Sequence, residues 1–370
     1  NAKAMAFSLN RFRQIGTQNY ILGDRIKSLE VPEEFLLRIN LNRPSSSIKG
    51  LLTSINLTPI SPSAYIDHDK KFLNKSFVGT GPYKLISFKP EKQRLEPFEF
   101  YWGSQPKNKG IDYINLTNSS SLFGAIRSGE VDVLLSNSIE DGQRLALNKM
   151  SQKGELIKGE GPSMEIGYIT LNSNSKPLDK ATVREALSYS LNRELITEKV
   201  SFGTRKQLRS IVPPMLKEKG HNPWPKYNPQ ISRKILTREN YCMDKKLEIS
   251  LTFRSNVPAD KLLAMTWQEQ VKKDLSDCIV INLNGIESTT IYKQLSSGVY
   301  QAIILDWTGA YPDPEAYLSP LLSCQKLIET KCMKGEAVFS GSFWAIPKVQ
   351  KALKESEQLV GSDRSTKLTE

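Results

Sequence analysis

The order of apolar segments predicts an α/β fold for this chain of 370 residues. Short runs that alternate apolar and polar residues, as strands do, take turns with runs whose apolar residues recur every three or four positions, as in helices. Regular alternation of strands and helices is typical of α/β layering. The chain is also longer than one hydrophobic core usually serves, so we expect two or three domains.

The first 77 residues predict one helix and one hairpin. Apolar residues follow a helical spacing from the start of the chain to Gly16, where the helix should end. Two short alternating runs, 26–31 and 35–41, lie on either side of Pro32 and predict a hairpin. A loop rich in Ser and Pro follows.

The pattern changes at the turn sequence of residues 79–82, so we place a domain boundary near residue 77. Beyond it, strands and helices alternate. The predicted elements are strands 83–88, 94–101 and 111–116, helix 122–127, strand 131–135, helix 140–147, strands near 156 and at 166–171, and two helices from residue 180 that separate at Asn192.

A βαβαβ unit is predicted at residues 247–305. Its elements are strand 247–253, helix 261–275, strand 279–283, helix 289–297 and strand 301–305. Its crossovers should be right-handed, as in nearly all such connections.

The chain has four cysteines, Cys242, Cys278, Cys324 and Cys332, without the C-x-x-C spacing typical of zinc sites. Cys242 precedes the first strand of the unit and Cys278 precedes the second. If these strands are parallel neighbours, both sulfurs lie at the same end of the sheet. We therefore predict a disulfide between Cys242 and Cys278 and a local one between Cys324 and Cys332, which fits an oxidising compartment. The alternative is four unrelated buried thiols.

The net charge of +12, from 51 Lys and Arg against 39 Asp and Glu, favours anionic partners without specifying one. A basic protein that binds nucleic acid is therefore one hypothesis. The cations occur in short scattered runs without interleaved aromatic residues, so we expect no nucleic-acid partner. The sequence also lacks the roughly 18 consecutive apolar residues that a membrane helix needs.

Few residues are available for catalysis or metal binding. The chain has two histidines, His68 and His221, so it supplies few of the residues that a His-based triad or metal centre needs. Motifs for a nucleophile elbow, a phosphate loop or a zinc protease are absent, so we expect no catalytic residue, metal or cofactor. A hydrolase of peptides or glycans remains an alternative through Asp313 and Glu315, although acidic residues beside prolines more often cap a helix.

Residues 306–314, with the sequence DWTGAYPDP, follow the last strand of the unit. Ligands of open α/β sheets bind at the carboxyl ends of strands. Trp307 and Tyr311 can wall a cleft, while Thr308 and Gly309 offer backbone groups to a ligand. In the alternative interpretation, the two aromatic rings fill the core.

Several segments also match one family, and they occur in that family's order along nearly the whole chain. They are KAMAFSLNR at 3–11, FVGTGPYKL at 77–85, YWG at 101–103, AIRSGEVD at 125–132, PLD at 177–179 with VREALSY at 183–189 and NR at 192–193, and WTGAYPDP at 307–314. Together they resemble the extracytoplasmic oligopeptide- and dipeptide-binding proteins of ABC importers.

The resemblance implies a two-lobed, periplasmic-binding-protein-like α/β fold with an extra domain, truncated at both ends. Residues 1–77 would form part of the extra domain, 78–172 part of lobe 1 and 173–370 lobe 2. Family members carry a further N-terminal segment and a C-terminal tail that complete the sheet of lobe 1. We therefore expect an unpaired sheet edge there.

The resemblance also implies a solute-binding subunit that delivers a ligand, foremost a peptide, to ABC permease subunits in the membrane. Its location would be periplasmic or otherwise extracytoplasmic, with a lipid anchor as one option. A non-peptide solute, such as a metal chelate or a sugar, is the alternative ligand.

The ligand-binding residues predicted in this way are Trp307, Thr308, Gly309, Ala310 and Tyr311, with Tyr168 and Asn172 as weaker candidates for the cleft or hinge. Peptide binders of the family often hold the ligand's ammonium with an acidic residue where this chain has Ala310. Either another carboxylate, such as Asp306 or Asp313, replaces it, or the ligand has no free amine, because a buried ammonium without a carboxylate is costly.

Overall fold

The computed structural model of the protein describes residues 1–16, 19, 22, 25–66, 77–135, 139–159, 161, 163–208, 210–216 and 224–369. These residues form two compact units, Asn1–Leu134 and Leu135–Glu370. The domain boundaries predicted near residues 77 and 172 stay predictions. Both histidines, His68 and His221, lie outside the described residues.

The first unit contains one hairpin and one small sheet. Its elements are α1 (Ala2–Ile15), β1 (Ile26–Glu33), β2 (Leu36–Leu41), α2 (Ile48–Leu51), α3 (Pro62–Tyr65), β3 (Tyr83–Phe88), β4 (Lys92–Pro97), β5 (Ile111–Ile114) and α4 (Ser119–Ser128). Helix α1 ends at Gly16 and β1 pairs antiparallel with β2, as predicted. Strands β3, β4 and β5 form an antiparallel sheet. The unpaired sheet edge expected in lobe 1 stays a prediction.

The second unit is built around one mixed sheet. Its elements are α5 (Asp141–Gln152), β6 (Glu165–Leu171), α6 (Ala181–Ser190), α7 (Arg193–Ser201), α8 (Pro229–Arg238), β7 (Leu247–Arg254), α9 (Pro258–Asp274), β8 (Ile279–Ile286), α10 (Ser288–Gln294), β9 (Ala302–Thr308), α11 (Glu315–Leu322), β10 (Lys326–Ile328), β11 (Lys331–Lys334), α12 (Glu336–Phe339), α13 (Pro347–Ser356) and α14 (Gly361–Thr369). Of the helices described, none combines the length and the apolar character needed to cross a membrane.

The predicted strands at 131–135 and near 156 do not form. Val133 and Leu135 are exposed, and so is Ile157. A strand needs a neighbour to supply its hydrogen bonds. No described strand pairs with either segment.

The βαβαβ prediction is confirmed. The order in the sheet is β6-β9-β7-β8, and β7 pairs parallel with both β8 and β9. Strand β6 pairs antiparallel with β9, with Ile166 opposite Trp307 and Leu171 opposite Ala302. The segment of β6, which the resemblance assigned to lobe 1, therefore lies in the sheet that the resemblance assigned to lobe 2.

Apolar side chains cover both faces of this sheet. Ala302 and Ile304 of β9 belong to the largest cluster, with β7 and α9, whereas Ile303 and Leu305 pack in a second cluster with α10. Successive strand residues point to opposite faces. Because both faces are covered, β9 is an uninterrupted apolar run from Ala302 to Leu305, as expected of a buried parallel strand.

Both predicted disulfides, Cys242–Cys278 and Cys324–Cys332, are present. Leu247 at the start of β7 lies opposite Ile279 at the start of β8. The cysteines that precede the two strands therefore meet at one end of the sheet. The alternative of four unrelated buried thiols is wrong, because all four cysteines are disulfide-bonded.

Candidate ligand-binding site

The carboxyl ends of the three parallel strands lie along one edge of the second unit's sheet. Strand β7 ends there at Arg254, β8 at Ile286 and β9 at Thr308. Strand β6 runs the other way, so its first residue, Glu165, lies opposite Thr308. This is the edge at which α/β sheets bind ligands.

The indole of Trp307 is held in place by a hydrogen bond. Its Nε1 donates to the carbonyl oxygen of Ala316, on the first turn of α11, at 2.8 Å. The side chain is partly exposed, and Thr308 beside it is exposed. Trp307 therefore presents an aromatic surface whose orientation is set before any ligand binds.

Gly309 lies against the ring of Tyr317. A Cβ at Gly309 would come within 2.7 Å of Cε2 of Tyr317. Tyr317 cannot easily retreat, because it is fully buried and its hydroxyl donates to the carbonyl of Met164. Packing alone therefore accounts for a glycine at this position.

The other two residues of the loop differ in exposure. Ala310 is partly exposed. Tyr311 retains only 7% of its surface, which matches the alternative in which this ring fills the core. The role of Trp307, Thr308, Gly309, Ala310 and Tyr311 in ligand binding stays a prediction.

Asp313 is engaged within the protein. Its carboxylate accepts two hydrogen bonds from Arg364 on α14, at 2.8 and 2.6 Å. It also accepts from the backbone N–H of Glu315, the first residue of α11, at 2.8 Å. Burial lowers the pKa of Arg364, but the bonds and charge of Asp313 outweigh it and raise that pKa. Asp313 therefore has little capacity to receive a ligand's ammonium.

A buried ionic network lies at the end of β7. The guanidinium of Arg254 donates from Nε and Nη2 to the two carboxylate oxygens of Asp260, at 2.7 and 3.0 Å. Its Nη1 donates to Oδ2 of Asp306 at 2.7 Å and to the hydroxyl of Tyr292 at 3.2 Å. Burial alone would lower the pKa of Arg254, but Asp260 and then Asp306 raise it, so the guanidinium stays charged.

No sequence motif pointed to Arg254, Asp260 or Tyr292. One signal was available, because Arg254 is a charged residue that directly continues the apolar run of β7 at its carboxyl end. The partners could not be inferred in that way, since Asp306 is 52 residues further along the chain.

Tyr168 and Asn172 lie at different ends of β6. Tyr168 is opposite Leu305, near the Trp307 end, and packs on the α10 side of the sheet. Burial raises its pKa, with smaller contributions from Tyr292 and Asp306. The structure therefore brings Tyr168 close to the ionic network.

Asn172 is not brought together with the loop. It follows Leu171, which is opposite the first residue of β9, so about 20 Å of strand separates it from Trp307. Its Nδ2 donates to the carbonyls of Gly298 and Tyr300, both at 3.0 Å, and its Oδ1 accepts from the N–H of Asn174. Asn172 therefore lies at the other end of β6 from this edge, and its role in the cleft or hinge stays a prediction.

The residues that the structure describes include no group of three or more His, Cys, Asp or Glu side chains placed to hold a metal ion. The ionic network has two carboxylates, but a guanidinium occupies the position between them.

The three parallel strands of the mixed sheet therefore end at an edge with a held aromatic ring and a charged network, where α/β sheets bind ligands. Residues 1–327 match the family described as bacterial extracellular solute-binding proteins, family 5 middle. The chain belongs to this family, and the predicted resemblance is confirmed.

Curated relatives are similar over most of the chain. The glutathione-binding protein GsiB of Salmonella choleraesuis is 27% identical over 332 residues, which are 88% of this chain and 63% of the relative. The dipeptide-binding protein of Escherichia coli K12 is 23% identical over 351 residues, again 88% of this chain and 63% of the relative. The chain therefore spans less than two thirds of the length of these proteins.

Solved structures show the same fold. A dipeptide-binding protein of Pseudoalteromonas sp. SM9913 in complex with Met-Leu has a TM-score of 0.80 and 21% identity, with 99% of this chain and 73% of that chain covered. NikZ of Campylobacter jejuni in complex with Ni(L-His) has a TM-score of 0.79 and 17% identity, with 100% and 73% covered. These similarities confirm the predicted periplasmic-binding-protein-like α/β fold.

Proposed function

We propose that this chain is the ligand-binding part of a solute-binding subunit of an ABC importer and that its ligand is a peptide. The observation that carries the proposal is the Trp307 loop at the carboxyl end of β9, in a member of this family. The named ligands of the curated relatives described above, glutathione and dipeptides, support a peptide.

In this function the protein binds its ligand without chemistry. Trp307, fixed by Ala316, supplies an apolar wall, and the backbone groups of Thr308 and Gly309 are the polar contacts. The ligand leaves unmodified and passes to membrane permeases. An extracytoplasmic location agrees with two disulfides.

A non-peptide solute is the second candidate. Ala310 favours it, because this position supplies no charge for a peptide's amino group. The similar structure of NikZ contains a nickel chelate, Ni(L-His), in the same fold. The hydrolase alternative is not favoured, because the family consists of solute-binding proteins.

The test is calorimetric titration of the purified protein with Met-Leu and with glutathione, followed by mass spectrometry of the recovered peptide. We expect saturable binding of at least one peptide and its recovery intact. Trp307→Ala should weaken that binding about tenfold or more, as removal of an aromatic contact often does.

Trp102→Ala is the matched control. The indole of Trp102 also donates to a backbone carbonyl, that of Thr80, but Trp102 lies in the first unit and is highly exposed. Its replacement should leave the affinity unchanged. Cleavage of the peptide, or equal affinities of the wild type and Trp307→Ala, would argue against the proposal.

A further inference from the structure

The ionic network at the end of β7 carries an uncompensated negative charge. It contains one guanidinium, Arg254, and two carboxylates, Asp260 and Asp306. Asp260 holds Arg254 with two hydrogen bonds, and these two residues retain 6% and 5% of their surface. They form a neutral buried pair, so the remaining charge belongs to Asp306.

Asp306 is also the member of the network that reaches solvent. Its side chain is 37% exposed, against 6% and 8% for the side chains of Arg254 and Asp260. Oδ2 accepts from Arg254, whereas Oδ1 makes no hydrogen bond to any described residue. A carboxylate oxygen with unused acceptor capacity therefore lies at the edge where the ligand is expected.

The network suits a cation better than an anion. Four hydrogen bonds already engage the guanidinium: two to Asp260, one to Asp306 and one to Tyr292. Arg254 is buried and cannot turn a free fork of donors towards a ligand carboxylate. An ammonium group would instead meet a negative charge whose position Arg254 fixes.

Asp306 is also the better placed of the two carboxylates considered for this role. Arg364 holds Asp313 with two hydrogen bonds, and the side chain of Asp313 is only 15% exposed. Asp306 is joined to its arginine by a single bond, and that arginine is already neutralised by Asp260.

We propose that Asp306, oriented by Arg254, is the specificity-determining residue that binds the positively charged amino group of the ligand. The inference rests on the proposed peptide-binding function. It predicts that the protein prefers peptides with a free amino terminus to the same peptides acetylated at that amine.

The experiment is calorimetric titration of wild type and Asp306→Asn with Met-Leu and with N-acetyl-Met-Leu. We expect the wild type to bind the free peptide at least tenfold more tightly than the acetylated one. Asp306→Asn keeps the shape of the side chain, leaves the Arg254–Asp260 pair intact, and should lose this preference through weaker binding of the free peptide. Asp306→Glu, which retains the charge, should keep much of it.

Asp277→Asn is the matched control. Asp277 also pairs with an arginine, Arg233, but it precedes β8 at the amino end of the parallel strands. Its replacement should change neither affinity.

Two results would overturn the inference and are distinguishable. If the wild type binds the free and acetylated peptides equally, or Asp306→Asn keeps the preference, Asp306 does not bind the amine while peptide binding stands. If the wild type binds neither form of Met-Leu nor glutathione, the proposed function fails and the role of Asp306 fails with it.

Discussion

The loop that follows β9 packs closely because Gly309 has no side chain. At Gly309, a Cβ would lie 2.7 Å from Cε2 of Tyr317 and 3.0 Å from Cβ of Ala316. We expect Gly309→Ala to lower the free energy of unfolding by about 1–3 kcal/mol, as overpacking usually does. Urea denaturation followed by fluorescence measures this.

Gly167→Ala provides the comparison, because a Cβ at Gly167, in β6, meets nothing within 4 Å. Its effect should stay within about 0.5 kcal/mol. Equal stabilities of the two variants would mean that Tyr317 can move away, contrary to its complete burial.

A second residue-scale effect depends on pH. Burial raises the pKa of Glu336, at the start of α12. The folded state therefore favours the protonated carboxyl. This preference stabilises the fold below the pKa of the unfolded chain, and the stabilisation is lost as pH rises through the folded pKa. Glu336→Gln, always neutral, should therefore be more stable than the wild type at pH 7, and the gain should shrink towards about pH 4.

Urea denaturation at both pH values measures the difference in the free energy of unfolding between the variant and the wild type. Glu185→Gln, at an exposed position of α6, is the control and should show little change in this difference with pH. If the stability gained by Glu336→Gln grew on acidification, the pKa of Glu336 would not be raised in the folded state.

At the scale of elements, the two disulfides should contribute unequally. Cys242–Cys278 joins residues 36 apart and Cys324–Cys332 residues 8 apart. The entropy of loop closure predicts losses of about 4 and about 2.5 kcal/mol when each pair is replaced by serine. Unfolding of the two double variants without reductant tests this order, and a larger loss for the shorter loop would contradict it.

Asn172 joins the end of β6 to the segment that leads into β9. Asn172→Ala would leave the carbonyls of Gly298 and Tyr300 without these hydrogen bonds. We expect a loss of about 1–3 kcal/mol in the free energy of unfolding. Asn284→Ala, at an exposed position of β8, should cost less than about 0.5 kcal/mol. Equal losses in denaturation experiments would show that the bonds of Asn172 contribute nothing.

Elements with a strong local pattern were predicted well. Helix α1 and the β1–β2 hairpin have clear periodicity and clear turn or end signals, and so do the strands and helices of the βαβαβ unit. Helix α8 was not predicted from the sequence, although Asn228 caps it directly before Pro229, as a helix start signal would. The apolar run at 131–135 was taken for a strand, although pairing depends on a neighbour that no local pattern reveals.

At the scale of the molecule, the second unit has its own core. The clusters on the two faces of its sheet are made entirely of residues from this unit. We expect residues 135–370 alone to unfold cooperatively, with a near-ultraviolet circular dichroism spectrum typical of fixed aromatic side chains. A spectrum without such signals, together with exposed apolar surface, would contradict independent folding.

Periodicity and spacing within short segments were enough to predict the α/β layers, the parallel unit and both disulfides. The family was predicted from a resemblance, carried by short sequence motifs that occur in that family's order along the chain. The ionic partners of the candidate site were not predictable in this way. Arg254 meets Asp306 and Asp313 meets Arg364 across more than 50 residues, and Asn172 shares β6 with Tyr168 yet lies at its other end. Which charges meet, and which stay exposed to a ligand, depends on how distant segments pack, since burial and hydrogen bonding act between neighbours in space.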